Sequence, residues 1–205
     1  MTPIAKPVIE LETVPMVRPA DEVPGPPQGQ WTYADYAALP DDGRRYEIID
    51  EVLYVAPSPR RTHQTAASWF VYHLVTYVRL TGTGEVFVAP FDVELAPNTV
   101  VQPDVVVVLR EREHIITETH IVGAPDLVIE IASPGSVGYD RRLKQDAYAR
   151  AGVREYWYAD PAAKTIEVLV LTGDHHTSAG VFTGRSRIPS QVLPGLPVRV
   201  EQFFA

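Results

Sequence analysis

The sequence predicts an α/β domain of the α+β kind, a central mixed sheet flanked by helices, and three observations lead there. Ala66, Phe70, Leu74 and Val78 recur at helical spacing beside Ala67, Val71 and Val75, so one long helix crosses the core. Short apolar runs on either side of it have the length and β-branched content of strands. Val105-Val106-Val107-Val108 is apolar on both faces, as a strand buried between two layers must be.

The elements follow in order. Residues 1–30 hold seven of the chain's 19 prolines and no apolar period. A segment of that kind buries too little to offset its ordering entropy, so it reads as an arm or disordered tail, or an arm that docks on a partner subunit. The folded domain is expected over 31–205. Trp31 to Leu39 opens it as a short helix with Thr32 as N-cap and Asp35 three residues on, stopping at Pro40. Tyr46–Ile49 and Val52–Val55 flank Asp50-Glu51 and read as a hairpin. The long helix runs from about Arg61 to Leu80 and ends at Gly82 and Gly84. Strands are expected at Val86–Ala89, Asp92–Leu95, Asp104–Leu109 and Asp126–Ala132. A second helix, Tyr139 to Ala151, stops at Gly152, which suits the left-handed residue after a helix. Glu155–Ala159 and Thr165–Leu171 are joined by a turn at Asp160-Pro161, and short strands are expected around Val181 and Val198, with a turn at Pro194-Gly195. His175-His176 reads as loop.

Composition narrows the chemistry. There is no cysteine, which removes disulfides, thiolate metal sites and cysteine nucleophiles. No apolar run approaches the roughly 20 residues of a membrane span, and the N-terminus lacks the plan of a signal peptide, so a cytoplasmic location is expected. The formal charge of −8 opposes holding nucleic acid by bulk electrostatics. Either nucleic acid is not the substrate, or several carboxylates belong to a cation site. P-loop, G-x-S-x-G, H-E-x-x-H and zinc signatures are all missing.

Two acids stand inside apolar strands. Asp104 opens the valine run directly after Pro103, and Glu130 lies within Leu127-Val128-Ile129-Glu130-Ile131. An isolated buried carboxylate costs several kcal/mol or takes up a proton. A divalent cation removes that cost, and Mg²⁺ accepts hard oxygen ligands while keeping several waters. The alternative is that each acid caps a strand end or faces solvent. Lys144 follows Glu130 by 14 residues and shares a helix face with Asp140 and Tyr148. Beside a cation site it could stabilise charge developing on a phosphoryl group; otherwise it is a surface ion pair with Asp140.

The segments Arg45-Tyr46-Glu47-Ile48-Ile49-Asp50, Gln102-Pro103-Asp104 and Gly123 through Pro134, continuing with Asp140, Lys144, Tyr148–Val153 and Glu155-Tyr156-Trp157, keep one order and spacing. They resemble the PD-(D/E)xK superfamily and, within it, the Uma-two family. The resemblance implies a restriction-endonuclease-like fold and a Mg²⁺-dependent DNA endonuclease, with Mn²⁺ as a substitute ion. It implies Asp104 and Glu130 as metal ligands and Lys144 as the catalytic lysine, moved from the usual strand position, which is Ala132 here. Glu47 matches an early acidic position and would add a ligand or orient a water. Glu51 stands where the family usually has a glycine. A homodimer would suit cutting of both strands of a duplex. The competing function is a nuclease-fold module that binds nucleic acid or a protein partner without cutting.

Four further residues are candidates for phosphate or substrate contact. His63 opens the long helix; Arg141 and Arg142 form a compact basic group; Tyr148 shares the face of Lys144. Asp92 and Glu94 lie on one strand face and read as an exposed edge. Trp157 and Tyr158 read as core.

Overall fold

The structure, a computed structural model, describes residues 16–136 and 138–205. Half of the expected tail, residues 1–15, lies outside that range. The rest of it is an arm on the protein's own sheet. A two-residue strand, β1 (Arg18–Pro19), leads to Ala20, which is buried, and Val23 packs with Trp31. The first helix, α1 (Tyr33–Ala37), begins as expected. The Thr32 side chain accepts from the Asp35 amide, and Asp35 reaches back to the Thr32 backbone, so two free donors of the first turn are satisfied.

The hairpin forms as β2 (Arg45–Ile49) and β3 (Val52–Ala56), antiparallel, with Ile49 opposite Val52. Its two-residue turn needs positive φ at both positions, and Asp50 (50°) and Glu51 (66°) supply it without a glycine. β1 lies antiparallel on β3. The long helix, α2 (Arg61–Leu74), widens into a π turn over Val75–Arg79. Its apolar stripe is buried as its period requires, with Phe70, Leu74 and Val78 fully covered.

The strands that follow are β4 (Gly84–Val88), β5 (Asp92–Ala96), β6 (Thr99–Val101) and β7 (Val105–Leu109), then β8 (His120–Val122) and β9 (Leu127–Ile131). β6 and β8 are three-residue strands that the periodicity did not reveal. A π turn, Tyr139–Lys144, runs into α3 (Gln145–Ala151), which Gly152 ends at φ 91°. β10 (Glu155–Asp160) and β11 (Thr165–Thr172) stand where expected. His175 and His176 are not loop: they begin a nine-residue strand, β12 (His175–Thr183), and His176 Nε2 bonds the Val153 carbonyl at 2.9 Å. Nor is Val198 in a strand. The chain there makes one bridge, Arg187 to Arg199, and closes with a 3-10 turn over Val200–Phe204.

Two sheets result, both mixed. The larger has the order β12-β11-β10-β9-β7-β4, with β9 and β10 parallel and the other pairs antiparallel. The smaller has the order β1-β3-β2-β6-β5-β8. Alternation along β7 feeds two cores. Val105 and Val107 join Phe70, Leu74, Trp157 and Phe203 on the α2 face; Val106 and Val108 join Ile49, Val101, Tyr148 and Tyr156 on the other. A third core, around Trp31, Ile48 and Leu53, closes the outer face of the small sheet under α1 and the arm. The second core is where the two sheets and α3 meet, and one end of it carries charge.

Candidate active site

Four segments deliver that charge to a single chamber of about 40 Å³. On β9, Leu127, Ile129 and Ile131 turn to the α2 face, so Val128 and Glu130 must turn the other way. Glu130 therefore points at the helix across the sheet. Glu47 comes from β2, Asp104 from the residue before β7, and Lys144 from the last π-turn position. All four are nearly inaccessible, Asp104 at 5%, Lys144 and Glu130 at 3% and Glu47 at 2%. Lys144 is thus no surface ion-pair partner. Its Nζ stands 2.7 Å from Glu47 Oε1 and 2.8 Å from Glu130 Oε1.

Each acid is held in a definite orientation. Asp104 Oδ2 accepts from the Ile131 amide at 2.8 Å and lies 2.9 Å from His63 Nε2, while Arg45 stands 3.6 Å from Oδ1. Burial pushes the Asp104 carboxyl up, but His63, Arg45 and the Ile131 amide outweigh it and hold it below its ordinary value. Glu130 accepts from Tyr148 Oη as well as from Lys144, both on Oε1, and Oε2 makes no hydrogen bond among the described residues. Its carboxyl is raised by burial and by Asp104 and Glu47, against the pull of Lys144. Glu47 Oε1 also accepts from the Gln102 amide at 2.7 Å, tying β2 to the segment that carries Asp104.

Sequence reasoning passed over three members of this site. Arg45 lines the chamber, bonds the Gln102 carbonyl and sits two residues before Glu47, hence on the same strand face. Asp140, 3% exposed, lines it as well, and burial followed by the Glu130 charge raises its carboxyl far above the usual range. The spacing of Asp140 to Lys144 signalled a shared face; it could not signal that the face is buried. Tyr139 packs its ring 5.6 Å from Lys144 Nζ.

Burial alone does not mark a chemical site, because two other acids are fully covered. Glu155 accepts from the Gln191 and Val192 amides and from Trp157 Nε1; Asp126 accepts from the Leu109 amide and from Arg154. Both are spent on structure. The chamber differs in its acid content: the four carboxyls of Glu47, Asp104, Glu130 and Asp140 face only Arg45 and Lys144 as permanent cations, an excess of acids over cations that favours the protonated form of Glu130 and Asp140. A divalent cation would cancel it, and all-oxygen donors suit Mg²⁺. Among the described residues no three acid or imidazole side chains are placed to hold a metal ion together. Mg²⁺ asks for less, since it commonly binds through one or two carboxylates and keeps its waters. The donor set fits.

The remaining candidates separate. His63 lines the chamber and is hydrogen-bonded to Asp104, while its Nδ1 is buried with no partner among the described residues. Tyr148 is fully buried on Glu130, where it positions the acid. Arg141 lies elsewhere, bonded to Glu167 at 2.8 Å and stacked over Tyr158 at 4.1 Å, and Arg142 is exposed. Neither lines the chamber. Asp92 and Glu94 are not an exposed edge: β5 lies between β6 and β8, Asp92 accepts from Tyr36 Oη at 2.9 Å, and Glu94 pairs with His120 at 3.3 Å. Trp157 and Tyr158 are core, as expected.

A mixed sheet that carries an acid at the head of one strand, another inside its neighbour and a buried lysine bonded to the second belongs to the restriction-endonuclease-like class. Within that class this chain is a member of the Uma2 family, described as "Putative restriction endonuclease", which matches it over residues 33–201. It is also similar to a solved structure, "a putative nuclease belonging to DUF820 from Anabaena variabilis ATCC 29413". The two align with a TM-score of 0.70 and 20% identity, over 85% of this chain and 97% of that one, a likeness of fold. No curated protein matches the chain. Among the described residues no helix is long and apolar enough to cross a membrane.

Proposed function

We propose that this protein is a Mg²⁺-dependent endonuclease that hydrolyses phosphodiester bonds in DNA. One observation carries the reading: Glu47, Asp104, Glu130 and Lys144, drawn from four separate elements, line one chamber with an acid surplus. Asp104 and Glu130 would hold the ion, with Mn²⁺ as a substitute. When bound, Mg²⁺ supplies Lewis acidity at the phosphoryl oxygens and a nucleophile from water at neutral pH. Lys144 keeps its proton, because burial, which would remove it, is outweighed by Glu130, Glu47 and Asp140. Its ammonium would neutralise charge that develops on the phosphoryl group. Tyr148 holds Glu130 in place, and the Ile131 amide and His63 hold Asp104. Such fixed donors need no reorganisation when charge moves.

Nicking of supercoiled plasmid with Mg²⁺ tests this. Asp104→Asn and Glu130→Gln should each abolish nicking while remaining folded, as their far-UV circular dichroism at the assay temperature would show. A double variant that nicks at the wild-type rate would end the proposal.

A second reading has its own support. Lys144 already ties Glu47 to Glu130 by direct ion pairs, so the acids are partly compensated without a metal. The protein would then be a non-catalytic module that binds nucleic acid or a partner. Titration calorimetry separates the two: saturable Mn²⁺ binding that is lost in Asp104→Asn favours the enzyme, and no binding heat favours the module.

A further inference from the structure

A second, far larger cavity opens beside the acid chamber. It holds about 700 Å³, inside the range of roughly 300–1,000 Å³ typical of sites that enclose a small ligand. Arg45, Ala56, Pro57, Pro59, His63 and Asp104 line both spaces, so the two meet at Asp104. The chamber is a narrow end; the outer cleft could take a nucleotide.

The cleft has the chemistry of a base site. Tyr33 and Tyr36 line it with rings 6.2 Å apart at 28°, and His120 backs Tyr33 at 4.6 Å. Aromatic faces held in place this way are platforms on which unstacked bases rest. At one wall Asp92 accepts on Oδ1 from Tyr36 Oη at 2.9 Å and from Gln102 Nε2 at 2.7 Å. Arg45 Nε in turn donates to Gln102 Oε1 at 3.1 Å. Asp92 Oδ2 makes no bond among the described residues and offers an acceptor to an N–H edge.

The cleft lacks the chemistry of a duplex track. Its lining sets Asp41, Asp92 and Asp104 against Arg44 and Arg45, and Arg44 is already paired with Asp42 and Glu22. A protein that rides duplex backbone needs several phosphate-neutralising cations in a row. A duplex also keeps its bases stacked, so it brings a phosphate to a recessed acid only by extruding a nucleotide, which costs least when the strand is already unpaired.

We infer that the substrate enters as an unpaired strand, with a base lodged against Tyr33 and Asp92 in the outer cleft and the adjoining phosphate at Asp104. This rests on the nuclease reading above. The test is fluorescence anisotropy in EDTA, where no cutting occurs, with a labelled single-stranded oligonucleotide and the same strand annealed to its complement. The single strand should bind at least tenfold more tightly. Tyr33→Ala should weaken single-strand binding about tenfold, as loss of one base–aromatic stack does. With Mg²⁺ restored, cutting of a hairpin should fall in its loop. Equal affinity for both forms, or an unchanged Kd in Tyr33→Ala, overturns the inference. If duplex is then cut as fast as single strand, the nuclease reading stands without it; if neither form is bound or cut, both fail.

Discussion

Lys144→Met is the most informative single substitution, because methionine keeps most of the volume and removes the ammonium with its charge and its hydrogen bonds. Lys144 Nζ lies 2.7 Å from one glutamate and 2.8 Å from another, and the side chain is 3% exposed. Without it, Glu47, Glu130 and Asp140 share a buried space with no cation but Arg45. Breaking a buried ion pair from one side costs about 3–5 kcal/mol. The 40 Å³ chamber admits a little water, which places the expected loss toward the lower end of that range. For a domain of this size a loss of about 3 kcal/mol lowers Tm by roughly 6–12 °C. Urea denaturation in EDTA at neutral pH measures it. Lys144→Met/Glu130→Gln should regain at least about 1 kcal/mol of the loss, since groups in one network couple by that order. A single variant within about 0.5 kcal/mol of the wild type, the scatter of ordinary surface changes, would refute the account of the lysine as the charge that holds these acids together.

Two further predictions concern stability away from the site. Glu51 has φ 66°, a region that costs an L side chain about 1–2 kcal/mol, so Glu51→Gly should stabilise the hairpin by roughly 0.5–1 kcal/mol after the glycine's extra unfolded entropy; a lower urea midpoint would contradict this. His176 has its pKa lowered by burial, against the opposing pull of its bond to the Val153 carbonyl. The unfolded chain then binds more protons below its ordinary value of about 6.5, so the contribution of His176 is complete above that pH and is lost as the pH falls. Urea midpoints at pH 7 and pH 5 should differ less in His176→Gln than in the wild type; equal differences would show that the imidazole titrates freely.

Much of the fold was legible because it depends on local pattern. The Thr32–Asp35 cap, the stripe of α2 and the stop at Gly152 are all satisfied within a few residues, so a single stretch of chain determines them. β6 and β8 escaped notice since three residues carry no period, and they exist through pairs such as Ile48 with Val100. His176 looked like loop for a related reason: its bond goes to Val153, 23 residues earlier.

The candidate site divides along the same line. The sequence shows Glu130 among apolar neighbours on its strand, and therefore that its burial needs an explanation. It could not distinguish Glu130 from Glu155, which is buried just as deeply and satisfied by Gln191, Val192 and Trp157. The fold separates the two, by bringing Glu47, Asp104 and Lys144 to one acid and backbone amides to the other. It also decided that Arg141 turns to Glu167 and that Arg45 turns inward to Asp104. The physical reason is range: apolar periodicity is a property of neighbouring residues, whereas the free energy of a buried charge is set by whichever groups the fold places within a few ångströms of it.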